Sequence, residues 1–384
     1  MIRITPQNIF PFKMPKKNII AILFLGFPAF LYGRVIGIRN WLYDNRVFKK
    51  NTLPYPLISV GNLSLGGTGK TPFVEYLIRL LKDTYPVAVV SRGYGRKSSG
   101  FVEVTPQKTA DIVGDEPLQI IKKFEGEITF AVDENRLRAL DILKKQFDET
   151  NQNGRFVVIL DDAMQYRKIA AGLSILLIDY NNLIYDDYYF PLGRLRDNPS
   201  QKKRADIIVV TKVDENLTPV HRNTIQQKLD LLHYQTLFFT KTVYADLKPV
   251  FNPTHHRSLK DIDDQYRILL VTGIAKPRPL IDELKKYTPH VEHIGFSDHH
   301  NYTYDDLYRI SKRMKYLRTP KKILITTEKD VERLLAAPGK ELIEEMPAYY
   351  LPIAVEFLEN TEKEKFNKII IDYVSRNKTI GRIY

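Results

Sequence analysis

The pattern of the chain opens on an uncharged, largely apolar run from Asn18 to Gly33, NIIAILFLGFPAFLYG. A confident membrane span needs about 20 apolar residues, and Pro28 predicts a kink or an end to a helix here. Lys13, Lys16 and Lys17 precede the run, and Arg34, Arg39, Arg46, Lys49 and Lys50 follow it. A spanning helix keeps most of its positive charge on one side. Charge at both ends suits a helix lying in the interface, with Tyr32, Trp41 and Tyr43 at headgroup depth. A true span and a buried core helix are the alternatives. A signal peptide is not favoured, because no small-x-small site follows the run. Residues 1–17 read as a basic, proline-containing leader.

Beyond it, short β-branched runs alternate with helical stretches. Strands are predicted at Tyr55–Val60, Val87–Ser91, Ile128–Val132, Phe156–Leu160, Leu173–Asp179 and Ala205–Thr211, with helices over Pro72–Lys82 and Glu134–Phe147. This is the signature of an α/β fold, a mostly parallel sheet with helices on both faces. Ligands of such sheets bind beyond the carboxyl ends of the strands, and the polar motifs here follow Val60, Val90 and Leu160. A softer stretch, Asp246 to Asp264, holds Pro249, Pro253, His255 and His256 and reads as a linker without metal-ligand spacing. The pattern then restarts with strands at Tyr266–Thr272, Lys322–Thr326 and Tyr349–Val355 and helices at Pro279–Tyr287 and Asp305–Tyr316. The division predicted is 1–45 for leader and apolar helix, 46–245 for a larger domain, and 246–384 for a smaller α/β domain.

Composition narrows the chemistry. A net charge of +13 favours anionic partners, namely nucleic acid, an anionic membrane or a phosphorylated substrate. No homeodomain, zinc-finger or RNP-like motif supports nucleic acid, and no obligate protein partner is evident. The absence of cysteine excludes disulfides, thiolate metal sites and cysteine nucleophiles.

The strongest chemical signal is LISVGNLSLGGTGKTPFVEYL. A strand enters a glycine-rich loop, Ser64, Leu65, Gly66, Gly67, Thr68, Gly69, Lys70 and Thr71, and a helix follows at once. Backbone N–H groups of such a P-loop close around phosphates, Lys70 reaches the β/γ-phosphates, and Thr71 offers a hydroxyl to Mg²⁺. Ser64 stands where the strict pattern has a first glycine. The strand FVVIL ends at Asp161 and Asp162, which are placed near the metal. ATP and Mg²⁺ are therefore the expected cofactors. TKVD (Thr211–Asp214) is compatible with a guanine-reading motif, so a GTP-dependent switch or metallochaperone-like binding protein is the rival.

The ordered motifs VGNLSLGGTGKTP, SRGYGR, GDEP, DENR, DDAMQYR, PLGRLRD, VTGIAKP, FSDHHNY and TTEKD resemble the tetraacyldisaccharide 4'-kinase family over most of the chain. The resemblance implies an ATP-dependent kinase of lipid A biosynthesis, acting on the 4'-hydroxyl of a tetraacylated disaccharide 1-phosphate. It implies a monotopic protein on the cytoplasmic face of the inner membrane, with an acylated disaccharide phosphate lipid as partner. It also implies a P-loop domain and a second domain that closes over the site. Asp115 of GDEP becomes the acceptor of the hydroxyl proton, paired with a catalytic His299. Tyr94, Arg136, Gln165, Arg167 and Arg196 become substrate contacts. Two departures stand out. Tyr166 replaces a histidine that the family places near the sugar, and Asp197 replaces a glutamate.

Overall fold

The computed structural model describes residues 19–150, 156–251 and 257–380. The leader, His255 and His256 lie outside the described residues. The chain forms two compact units. The first takes the chain up to Arg92, then Gly126–Lys241 and Glu356 onward; the second takes Gly93–Glu125 and Thr242–Val355.

In the first unit seven parallel strands lie in the order Thr236–Tyr244, Ile207–Thr211, Leu173–Asp179, Leu57–Gly61, Val157–Asp161, Val87–Ser91 and Ile128–Val132. The middle strands are buried at every position, as continuous β-branched runs require when helices cover both faces. The chain leaves Leu57–Gly61 to one side for residues 87–161 and to the other for 173–244. The carboxyl end of that strand is therefore the switch point at which such sheets bind ligands. The helix Lys70–Leu81 seats Phe73, Val74, Leu77, Ile78 and Leu81 against the sheet. Each such burial contributes about 1.5–3 kcal/mol, so the helix is fixed without a ligand.

Three expectations change. First, the apolar helix runs over Ile19–Asp44 with Pro28 inside it, rather than ending near Gly33. Its length and hydropathy suffice to cross a membrane. Second, the C-terminal helix Asn360–Ile380 returns to the first unit. Phe366 packs edge-on against Phe73 and Phe238, and the Tyr373 hydroxyl donates to the Leu57 carbonyl at 3.1 Å and accepts from its N–H at 2.9 Å. Third, residues 93–125 group with the second unit. There the helix Asp115–Lys123 packs on Glu328–Ala336, and Lys123 pairs with Glu328 at 2.8 Å.

The second unit holds a five-stranded sheet, ordered Val291–Gly295, Arg267–Thr272, Lys322–Thr327, Ala348–Leu351 and Lys248–Pro249, antiparallel only at the last pair. The stretch read as a linker supplies that last strand. It also buries Leu247, Leu259 and Ile262 in the core beneath the sheet. It is part of the domain, because its apolar residues, sparse in sequence, are buried in it, with Val250 joining a second cluster around Leu269, Val271 and Leu324.

Candidate active site

In the first unit the phosphate loop leaves the buried strand Leu57–Gly61 and is braced from below. Asn62 donates to the Thr68 hydroxyl at 2.8 Å, and Thr211 donates its hydroxyl to the Thr68 carbonyl at 2.9 Å. Lys212 donates to the Gly67 carbonyl and pairs with Asp179 at 3.3 Å. The Leu65 N–H donates to the Arg194 carbonyl at 2.7 Å. Gly69 turns the chain into the helix at φ 81°, a left-handed conformation that disfavours any side chain. The Ser64 hydroxyl is buried and has no hydrogen-bond partner among the described residues.

Asp161 and Asp162 end the neighbouring strand, whose register sets Val60 beside Asp161. Asp162 adopts φ 49°. Lys70 lies 3.7 Å from its carboxylate, Arg196 binds it with both terminal nitrogens, and Arg136 donates to its carbonyl at 3.4 Å. Burial would raise the Asp162 pKa, but the charges of Lys70, Arg196 and Arg136 outweigh it and pull the value down to about 2. Burial also lowers the pKa of Arg136, with Asp162 opposing. Gln165 donates its amide to the Asn62 carbonyl at 2.7 Å. Tyr166 accounts for its own departure from the family pattern. Its ring carries the Arg136 guanidinium at 4.9 Å, and its hydroxyl donates to Asn135 at 3.0 Å.

The helix Ile19–Asp44 grips the same loops. Tyr32 donates to the Arg196 carbonyl at 3.0 Å, and Arg39 donates to the Gln165 carbonyl. Asn40 donates to Asp197 at 2.7 Å, and the shorter carboxylate is fully buried there. Arg167 corrects an expectation. Its side chain is fully buried, donating to Asp44 at 2.5 Å and Asn40 at 3.0 Å beneath the Tyr43 ring. It fastens the helix instead of facing a ligand. Tyr32 and Tyr43 are likewise engaged with the protein, whereas Trp41 is exposed.

In the second unit, VTGIAKP, FSDHHNY and TTEKD meet. Buried Asp330 accepts from the Gly273 N–H at 3.0 Å and the Thr327 hydroxyl at 2.5 Å, and the His299 N–H donates to the Gly273 carbonyl at 3.2 Å. His299 sits at φ 60°, a strained conformation of the kind that collects at functional sites. Its Nδ1 is 3.1 Å from the Asp115 carboxylate, and its Nε2 is 2.9 Å from Lys329 Nζ. Nδ1 also lies 2.6 Å from the Arg333 guanidinium, which can only donate, so Asp115 and Arg333 meet at the same ring nitrogen while Nε2 faces Lys329. Arg333 donates to the second Asp115 oxygen at 3.3 Å through Nε. Asp115 opens its helix after Gly114, which has φ 93° and would place a Cβ 3.0 Å from the Tyr94 carbonyl. The GDEP and SRGYGR turns thus fit together only with glycine at that point. Tyr94 itself is 82% exposed.

Sequence reasoning assembled the Asp115–His299 pair but assigned its halves to different domains. It missed Lys329 and Arg333, whose i, i+4 spacing on one helix face was the available signal. It also missed Asn62 and Lys212 as braces. TKVD was read for guanine, yet its Thr211 and Lys212 support the loop and Asp214 is exposed.

A glycine-rich cradle at a sheet switch point, a lysine poised at its end and paired strand-end carboxylates define a P-loop phosphotransferase. A family model described as tetraacyldisaccharide-1-P 4'-kinase matches residues 21–374, and the chain belongs to that family. It is 44% identical to a tetraacyldisaccharide 4'-kinase from Phocaeicola vulgatus, over 91% of this chain and 94% of that one. It is 43% identical to the enzyme of that name from Bacteroides thetaiotaomicron, over 91% and 92%. Among solved structures it is similar to the "apo" form of LpxK from Aquifex aeolicus in complex with ATP. That match has a TM-score of 0.67 and 26% identity, covering 90% of this chain and 97% of that one.

Proposed function

We propose that the protein transfers the γ-phosphoryl group of ATP to the 4'-hydroxyl of a tetraacylated disaccharide 1-phosphate in lipid A biosynthesis. The observation that carries this reading is the braced phosphate loop with Lys70 resting against Asp162, in a chain that belongs to the kinase family. The relative solved with ATP supports that nucleotide over GTP.

The nucleotide phosphates lie against the N–H groups of Ser64–Thr71, and Lys70 exchanges its contact with Asp162 for the β/γ-phosphates. Thr71, Asp161 and Asp162 form an all-oxygen donor set that suits Mg²⁺, and they would hold it there. When bound, that ion supplies neutralisation of charge building on the transferred group. Arg136 and Arg196 add positive charge beside Asp162. The acceptor oxygen bonds to the γ-phosphorus, the bond to the ADP oxygen breaks, and the hydroxyl proton passes to the Asp115–His299 pair. Positioning and charge supply most of the rate. Tyr94 and Gln165 contribute substrate contacts.

The exposed apolar stretch of the helix, with Leu23, Phe24, Phe27 and Phe30 on its surface, supports attachment to the cytoplasmic face of the inner membrane. The deciding assay is ATP-dependent phosphorylation of the tetraacyl disaccharide 1-phosphate in detergent micelles. Label must appear at the 4'-position; tight GTP binding with slow hydrolysis and no lipid product would overturn the reading.

A further inference from the structure

The helix Tyr304–Tyr316 in the second unit has an inner face and a very different outer one. Leu307, Ile310, Ser311 and Met314 are buried against the sheet. Outward, Tyr304, Tyr308 and Tyr316 are each at least half exposed and follow one stripe at multiples of four residues. Arg309, Lys312 and Arg313 lie beside them. From Leu307 to Thr327 the chain carries seven basic residues and no acidic one. Among the described residues Arg309, Lys312, Lys315 and Arg318 enter no ion pair, whereas Arg313 is held by Glu292 at 2.7 Å. Where this helix stops short of the edge strand Val291–Gly295, a concavity of about 510 Å³ opens. Leu269 and Ile294 line it with the rings of Tyr308 and Tyr316, and Arg309, Lys312 and Arg313 outnumber the single carboxylate, Glu292, which Arg313 already holds.

This surface serves none of the chemistry above. Its composition is that of an interface between water and acyl chains. Tyrosine rings present an apolar body and a polar tip, and lysine and arginine stems reach past them to phosphates. The first turn carries the acids Asp305 and Asp306, and Glu292 takes Arg313, but beyond that turn the face adds only basic residues, and Arg309, Lys312, Lys315 and Arg318 are left without an ion pair among the described residues. We propose that the outer face of Tyr304–Tyr316 and the adjoining concavity form a docking surface for an anionic phospholipid bilayer. Headgroup phosphates are held by Arg309, Lys312 and Lys315, and Tyr308 and Tyr316 sit at the level of the glycerol. The contact belongs to the second unit and is separate from the apolar helix Ile19–Asp44.

The proposal rests on the reading that the kinase works at a membrane, and the test keeps the two apart. The full chain is treated with an amine-acylating reagent alone, with phosphatidylglycerol vesicles, with phosphatidylcholine vesicles, or with inorganic phosphate, and labelling at Lys312 and Lys315 is read by mass spectrometry. Phosphatidylglycerol vesicles should slow labelling at both lysines several-fold, and neither neutral vesicles nor phosphate should. In parallel, R309E/K312E/K315E should lower partition onto phosphatidylglycerol vesicles at least about tenfold, since each basic residue near an anionic surface contributes to binding. Its partition onto neutral vesicles and its turnover on micellar substrate should stay unchanged, and R309K should behave as wild type. Equal protection by inorganic phosphate would make this a free-anion site and overturn the bilayer contact. A chain that sediments with vesicles through its first helix while Lys312 and Lys315 label at the unprotected rate overturns it as well, leaving the membrane reading intact.

Discussion

Tyr32 donates its hydroxyl to the carbonyl of Arg196 at 3.0 Å, and the guanidinium of that same arginine holds Asp162. The apolar helix is thereby one residue removed from the strand-end carboxylate beside Lys70. Arg39 repeats the arrangement through Gln165, whose side chain holds the Asn62 carbonyl. Tyr32→Phe removes one hydrogen bond, worth about 1 kcal/mol, and should lower turnover about fivefold while the fold and membrane attachment persist. Steady-state kinetics in micelles checks this; an unchanged kcat and KM would show that the helix only anchors.

Lys70→Ala should cost at least about 10²–10³-fold in turnover at saturating ATP, the scale for losing a charge-stabilising group. The folded state should survive, because the helix is fixed by Phe73, Leu77 and Ile78 and not by the lysine. Circular dichroism and a transfer assay together separate the two effects.

Asp115→Ala and His299→Ala should each lower kcat about 10²–10⁴-fold, and the double variant little more than the worse single, since the two act as a unit. Multiplicative losses would assign them separate roles. Lys329→Met removes the cation facing Nε2 of His299, and should lower kcat more than it changes KM.

Arg167→Ala leaves Asp44 and Asn40 without their buried partner. A loss of about 3 kcal/mol in stability is expected, from the lower end of the range for a broken buried ion pair because Asp44 is partly exposed. Denaturant titration measures it. Activity per folded molecule should fall less than for Lys70→Ala.

The Asp162 pKa is lowered on folding, so its contribution to stability is present above the unfolded carboxylate pKa and is lost as pH falls toward the folded value of about 2. Thermal unfolding followed between pH 5 and pH 2 should therefore show a steeper acid loss in the wild type than in Asp162→Asn. Parallel curves would count against the charge cluster around Asp162.

The sequence by itself determined whatever is local. Short continuous β-branched runs bounded by turn residues favour strands buried on both faces, and a glycine-rich turn ending in Gly-Lys-Thr between such a strand and a helix favours an anion cradle. So the sheet, Ser64–Thr71 and the strand-end position of Asp161 and Asp162 were legible before any fold was known. Tertiary structure decided what depends on distant partners. Pro28 stays inside a helix because the following turns are clamped by Asp197, Arg167 and Arg196. Arg167 is structural because Asp44 and Asn40, more than a hundred residues earlier in the chain, bury it. Asp115 and His299 share a unit because the helix Asp115–Lys123 packs on Glu328–Ala336 through the pairs Lys122–Glu332, Lys123–Glu328 and Asp115–Arg333, a pairing that no local period records. Ion pairs and helix docking are settled by the geometry of the closed chain, and neighbours in sequence carry little information about them.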